Sequence, residues 1–162
     1  MKILPLARAL AAGALTAASA TPALADTVNL GFTYTPAKTL TVTAASAVPA
    51  INNQNFLAGQ FSGTLTSGMS TNAFVTFCTE LTQTFSPNTN ITGYSIQNAQ
   101  SGPTAWANPV AMNHLMSYWQ NNQPSDATSS AVFQAAVWEV VYEKPSNGYN
   151  FALGDFKASS GD

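Results

Sequence analysis

The chain has 162 residues, of which 46% are hydrophobic and only 7% charged, and its formal net charge is −2 at pH 7. Charged residues make up about 25% of an average soluble domain, so this surface must be wetted mainly by Ser, Thr, Asn and Gln. The few scattered cations exclude a phosphate-backbone partner, which needs clustered Lys and Arg to displace counterions, so no nucleic acid is expected.

Residues 1–25 read as a removable export signal. Lys2 and Arg8 supply positive charge, Ala9 to Ala20 is apolar and small, and Ala23-Leu24-Ala25 has the small-x-small pattern of a cleavage site. A membrane span needs roughly 20 predominantly apolar residues, and Ser19, Thr21 and Pro22 interrupt the run before that. Cleavage after Ala25 leaves residues 26–162, where three lysines against seven carboxylates give a net charge of −4. That length suits one domain with an ordinary core, secreted or held at the cell surface, with no later transmembrane segment.

From Thr27 onward the pattern is that of strands. Val28, Leu30, Phe32 and Tyr34 alternate with Asn29, Gly31 and Thr33, and Pro36 ends the run. Leu40 and Val42 alternate with threonines, and small, turn-forming residues follow through Asn55. Phe56–Leu65 and Phe74–Phe85 read as two further strands divided by TSGMSTN, and Ile91–Ile96 as a short one. After Pro103 the period changes. A helix is expected to start near Asn108, just before Pro109, and to fray in QNNQPSD. Asp126 is the expected N-cap of a second helix, Ala127–Glu143, stopped by Pro145; it is apolar on nearly all sides and so belongs in a core. The tail reads as a turn and one strand. The expected fold is mainly β, sandwich or barrel-like, with a two-helix insertion between late strands, in the α+β class.

Two residues do not fit their surroundings. Gln134 sits in the apolar run AVFQAAVWEVVYE, where an unpaired carboxamide costs on the order of 1–3 kcal/mol, so it needs a partner; a backbone group of the adjoining sheet is the ordinary one. Cys78 in FVTFCTEL is the sole cysteine, so an exported chain cannot pair it internally. A free cysteine is most often packed as a small hydrophobe.

Together FCTEL and QAAVWEVVYE resemble two motifs of the bacterial Cys-Gln thioester domains, found in thioester-forming surface adhesins and among PEP-CTERM-sorted proteins. FCTEL is similar to the aromatic-Cys-x-acidic-Leu strand of that family, and QAAVWEVVYE to its Gln-x-Ala-Ile-Trp helix, with Val137 in the Ile place. The likeness extends loosely from Phe74 to Phe151, over the helix with Tyr118 and over NGYNF. It implies a cross-link between Cys78 sulfur and the Gln134 side-chain carbon, formed with loss of ammonia, and an adhesion role. The protein would attach once, covalently, to an amine or hydroxyl of an extracellular protein or polysaccharide, and would not be an enzyme. The chemistry suits those residue types: a thiolate is the nucleophile, a carboxamide can accept the bond, and a dry pocket protects it.

Glu80 shares strand parity with Cys78 and could orient or polarise the bond, with a solvated carboxylate as the plain alternative. Trp138, one turn after Gln134, could roof it, or be simply core. Glu139 and Glu143 read as solvent-facing or as partners of Lys144. One rival is a cysteine hydrolase or transpeptidase using Cys78 with His114, the only histidine. Another is an unreactive structural or carbohydrate-binding β domain presenting Tyr94, Trp106, Trp119 and Tyr149. One Cys and one His fall short of the three or four ligands of a metal site, and no cofactor is expected. The chain ends at Asp162 without the hydrophobic helix and basic cluster of a PEP-CTERM tail, so a C-terminally truncated fragment is the expectation.

Overall fold

A computed structural model describes residues 26–84, 86–94 and 108–161; the signal segment 1–25 and Trp106 lie outside these. The alternating run at the start forms β1 (Asp26–Phe32), with Val28 and Leu30 turned into a core. It pairs antiparallel with β4 (Phe61–Ser67) and with β6 (Asn90–Tyr94), and β4 pairs with β5 (Ser70–Thr76). The resulting sheet has the order β5-β4-β1-β6. Between β4 and β5 the chain reverses through Gly68 and Met69, and Gly68 takes φ +60, which favours a residue without Cβ.

The second sheet is β3-β2-β7, built from β2 (Lys38–Ala44), β3 (Ile51–Ala58) and β7 (Phe156–Ser160), again all antiparallel. The expectation of turn residues through Asn55 and one strand over Phe56–Leu65 is corrected here. A strand already starts at Ile51, and Gly59-Gln60 divides the later run between two sheets. Its asparagines belong to the sheet because their amides pair across it: Thr41 Oγ1 donates to Asn55 at 2.9 Å and Thr43 Oγ1 to Asn53 at 3.1 Å. Exposed, cross-strand hydrogen-bonded polar pairs replace the apolar alternation that would have announced a strand.

Between β6 and β7 come α1 (Pro109–Asn121) and α2 (Ala127–Tyr142). Asn108 caps α1, its side chain accepting from Ala111 N–H, with Pro109 in the first turn where no donor is missed. Asp126 and Ser129 form a reciprocal capping box at the start of α2. As its composition requires, α2 is buried, and it packs on β2, β3 and β7. The fold is therefore mostly β, two antiparallel sheets with two inserted helices. Among the described residues no helix is long and apolar enough to cross a membrane.

Glu139 and Glu143 are not solvent-facing: both are 2% exposed. Glu143 lies at the end of α2 and ties the following turn to β7. Its carboxylate accepts from Lys144 N–H at 2.9 Å, from the Asn147 amide at 2.6 Å and from Phe156 N–H at 3.0 Å. Lys144 pairs with Asp155 instead, at 2.6 Å. Burial pushes the Glu143 carboxyl upward, but the donors on Phe156, Asn147, Asp155 and Lys144 outweigh it, so its pKa lies below the ordinary value.

A carboxyl with a depressed folded pKa stabilises fully above its unfolded value of about 4.3, and that contribution is lost as pH falls through the folded value. Glu143→Gln is therefore expected to lower stability above about pH 5, with the gap to the parent shrinking towards lower pH in urea unfolding measured across that range. Gly154 has φ +99, and a Cβ there would overlap the Glu143 carboxylate. Gly154→Ala should cost about 2–3 kcal/mol in the same measurement, well above the few tenths typical of an exposed loop site.

Candidate functional site

The helix α2 presents four residues at spacings of four along one face: Ser130, Gln134, Trp138 and Tyr142. Three of them bond main-chain groups of irregular segments that β-ladders leave unpaired. Ser130 Oγ accepts Gln60 N–H at 2.6 Å, between β3 and β4. Tyr142 Oη accepts Leu81 N–H at 2.9 Å, beyond β5. Between them, Gln134 is fully buried, and its carboxamide closes on one residue: Oε1 accepts Cys78 N–H at 2.9 Å and Nε2 donates to Cys78 C=O at 2.7 Å.

This pairing explains why the strand expected over Phe74–Phe85 stops at Thr76. Past that point the side-chain amide of Gln134 does for Cys78 what the peptide of a neighbouring strand would do, and the chain follows the helix. Buried main-chain groups must find partners, and here a helix supplies them. The backbone partner expected for Gln134 is thus that of Cys78 itself.

The Cys78 side chain springs from the Cα that lies between those two clamped groups, so the thiol belongs to the residue that the carboxamide holds. Its thiol donates to Glu80 C=O at 3.0 Å. The residue is half-buried and packs against two apolar clusters at once. One holds Val42, Ala44, Trp138 and Phe156, between the second sheet and α2; the other holds Val28, Leu30 and Phe61 of the first sheet. Burial pushes the thiol pKa up, the Glu80 backbone lowers it, the Glu80 carboxylate raises it by its charge, and the Trp138 side chain favours the thiolate; the net shift is upward.

Trp138 is 2% exposed, and its Nε1 has no hydrogen-bond partner among the described residues. Glu80 stands beside the site differently from the strand-parity expectation, since residues 77–80 are not strand. Its main-chain oxygen takes the thiol proton, while its carboxylate accepts from Thr82 Oγ1 at 2.8 Å. Tyr142 and Ser130 were not singled out from the sequence; their spacing of four on either side of Gln134 and Trp138 was the available signal.

His114 is exposed on α1 and lines a groove with Glu139, Tyr149 and Asn150. The sulfur's hydrogen bond goes to Glu80 instead. Of the four aromatics considered for carbohydrate, Trp119 is spent on structure, its Nε1 donating to Gln60 Oε1 at 3.1 Å. Tyr149 is partly exposed and its hydroxyl accepts from the Asn108 amide. The Tyr94 side chain and Trp106 lie outside the described residues. Among the described residues no group of three His, Cys, Asp or Glu side chains could hold a metal ion.

Comparison with protein-family models, with curated proteins and with solved structures finds no match for this chain.

The clamp can be weighed without the sulfur. Cys78→Ala keeps both main-chain groups, so adding Gln134→Ala to it isolates the carboxamide. The double variant should be less stable than Cys78→Ala by about 2–4 kcal/mol in urea unfolding, from two unpaired buried groups and a cavity.

Proposed function

We propose that this is an exported surface or matrix protein in which Cys78 and Gln134 condense to an internal thioester, and that the thioester attaches the protein to an extracellular nucleophile. The supporting observation is the double hydrogen bond between the Gln134 carboxamide and the main chain of Cys78, the residue that carries the sole thiol of the sequence.

In the reaction the sulfur attacks the side-chain carbon of Gln134. The C–Nε2 bond breaks, the thiol proton goes to that nitrogen, and ammonia leaves. Cys78 N–H, bonded to Oε1, stabilises the negative charge that develops on this oxygen in the tetrahedral intermediate. Holding both groups on packed elements supplies proximity, worth up to about 7–11 kcal/mol in favourable intramolecular cases. Trp138 and the surrounding hydrocarbon keep water from the finished bond. An amine or hydroxyl of a target protein or polysaccharide then attacks the thioester carbonyl and releases the Cys78 thiol. The product is an amide or ester through residue 134, made once per molecule. The raised pKa of Cys78 makes it a good thiol to protect and a slow one to ionise, which suits a single maturation event better than repeated turnover.

A second reading rests on the same two hydrogen bonds: an unreacted clamp, with Gln134 satisfied by the Cys78 main chain and the sulfur packed as a hydrophobe. A hydrolase using His114 has less support, because that side chain is exposed and lines a groove with Glu139 and Tyr149.

Intact mass of the parent beside Cys78→Ala and Gln134→Ala, before and after methylamine, separates these readings. The thioester reading expects only the parent to be short by one ammonia, and expects methylamine to convert it to an adduct with one titratable thiol. A parent at its full calculated mass, with a thiol that titrates on unfolding without amine, overturns it in favour of the clamp.

A further inference from the structure

Glu139 leaves one oxygen unaccounted for. Its Oε1 accepts Asn150 N–H at 2.6 Å, but Oε2 is buried without a hydrogen-bond partner among the described residues. A bare carboxylate oxygen removed from water is costly, and native proteins retain one mainly where something else pairs with it. The neighbouring groove offers a place for that partner. It has a volume of ≈ 400 Å³, and its wall is apolar along Ala111, Leu115, Ala136, Val140 and Phe151, with Glu139 in it.

We infer that this groove binds a primary alkylammonium group, the charged nitrogen paired with Glu139 Oε2 and the methylene stem lying along the apolar wall. The chemistry selects that class. Burial pushes the Glu139 carboxyl pKa up, a cost to the anion that a cation with N–H donors would relieve, and the wall calls for an unbranched hydrocarbon attached to that cation. The exposed Tyr149 ring beside the groove adds a face to which an ammonium is attracted. His114 also lines the groove. The site is distinct from Cys78 and Gln134, and the inference does not rest on thioester formation: five positions separate Gln134 from Glu139, which puts them on different faces of α2.

An ammonium holds a proton and is not itself a nucleophile, but its free amine would consume a thioester. The test therefore uses full-length Cys78→Ala, which retains the main-chain clamp and cannot form that bond. Titration with n-butylammonium is followed by amide chemical shifts at Ala111, Ala136 and Glu139, with n-pentanol as the uncharged counterpart of similar length. Saturable shifts are expected with the ammonium, and at least tenfold weaker binding of the alcohol. Adding Glu139→Gln should weaken ammonium binding at least tenfold while keeping an acceptor for Asn150 N–H. Ala136→Leu, which fills the groove and leaves the carboxylate alone, should do the same and decides the matter if Glu139→Gln does not fold. Absence of saturation, alcohol binding as tight as the ammonium, or parental affinity in either folded variant overturns the inference. Two further ligands distinguish the source: tighter binding of Nα-acetyl-lysine amide than of cadaverine assigns the group to a protein side chain, and the reverse order to a free polyamine.

Discussion

The carboxamide of Gln134 pairing with the main chain of Cys78 is the interaction on which the rest of this structure turns. It sits where the two sheets come closest to sharing a core, since Cys78 packs into both the cluster under α2 and the cluster of the first sheet. A glutamine with no exposure in an apolar helix would be a defect if its amide had nowhere to go; with both hydrogen bonds made it is a connector. Ser130 above it and Tyr142 below it repeat the device on Gln60 and Leu81. One face of α2 thus takes the place of a missing strand, and the segments that leave the sheets at these points are held by side chains instead of by a ladder.

Such a connector gives stability and, in the proposed reaction, chemistry from the same atoms. Each hydrogen bond contributes a net of about 0.5–1.5 kcal/mol to folding, and both also fix the orientation of the carbon that the proposed reaction would join to sulfur. Burial has two opposed effects on that attack: it raises the thiol pKa, which slows ionisation, and it removes the water that would hydrolyse the product. The indole of Trp138 adds a dipole that favours the thiolate without adding a charge. The carboxylate of Glu80 works against the thiolate by its field, while its main-chain oxygen holds the thiol proton.

Most of the architecture was legible in the sequence because it follows from periodicity. The alternation Val28, Leu30, Phe32, the Asn108-Pro109 start of α1 and the Asp126 cap of α2 all appear where their residue types put them. The misread places share one cause, side chains that satisfy polar groups over long sequence separation. The Asn-rich strand β3 looked like a loop because its pairing with Thr41 and Thr43 lies across the sheet. The strand through Cys78 looked longer because nothing local says that Gln134 will replace its neighbour. Glu139 and Glu143 looked solvated because the donors that hold them, on Asn147, Asn150 and Phe156, come from the segment after the helix. At the site, Cys78 and Gln134 were legible as oddities of composition, whereas Ser130 and Tyr142 matter only once a main-chain group is known to lie opposite each.

The position of β7 has a temporal consequence. It is synthesised after every other described strand, yet it pairs with β2, the second of them, and it brings Phe156 into the cluster that Cys78 and Trp138 also line. A chain emerging amino end first therefore exposes its thiol well before the wall behind that thiol exists. Contacts of such long sequence separation form slowly, since the loop between them must close first. The sulfur lacks part of its apolar surroundings throughout that interval, and the arrival of residues 156–160 completes them.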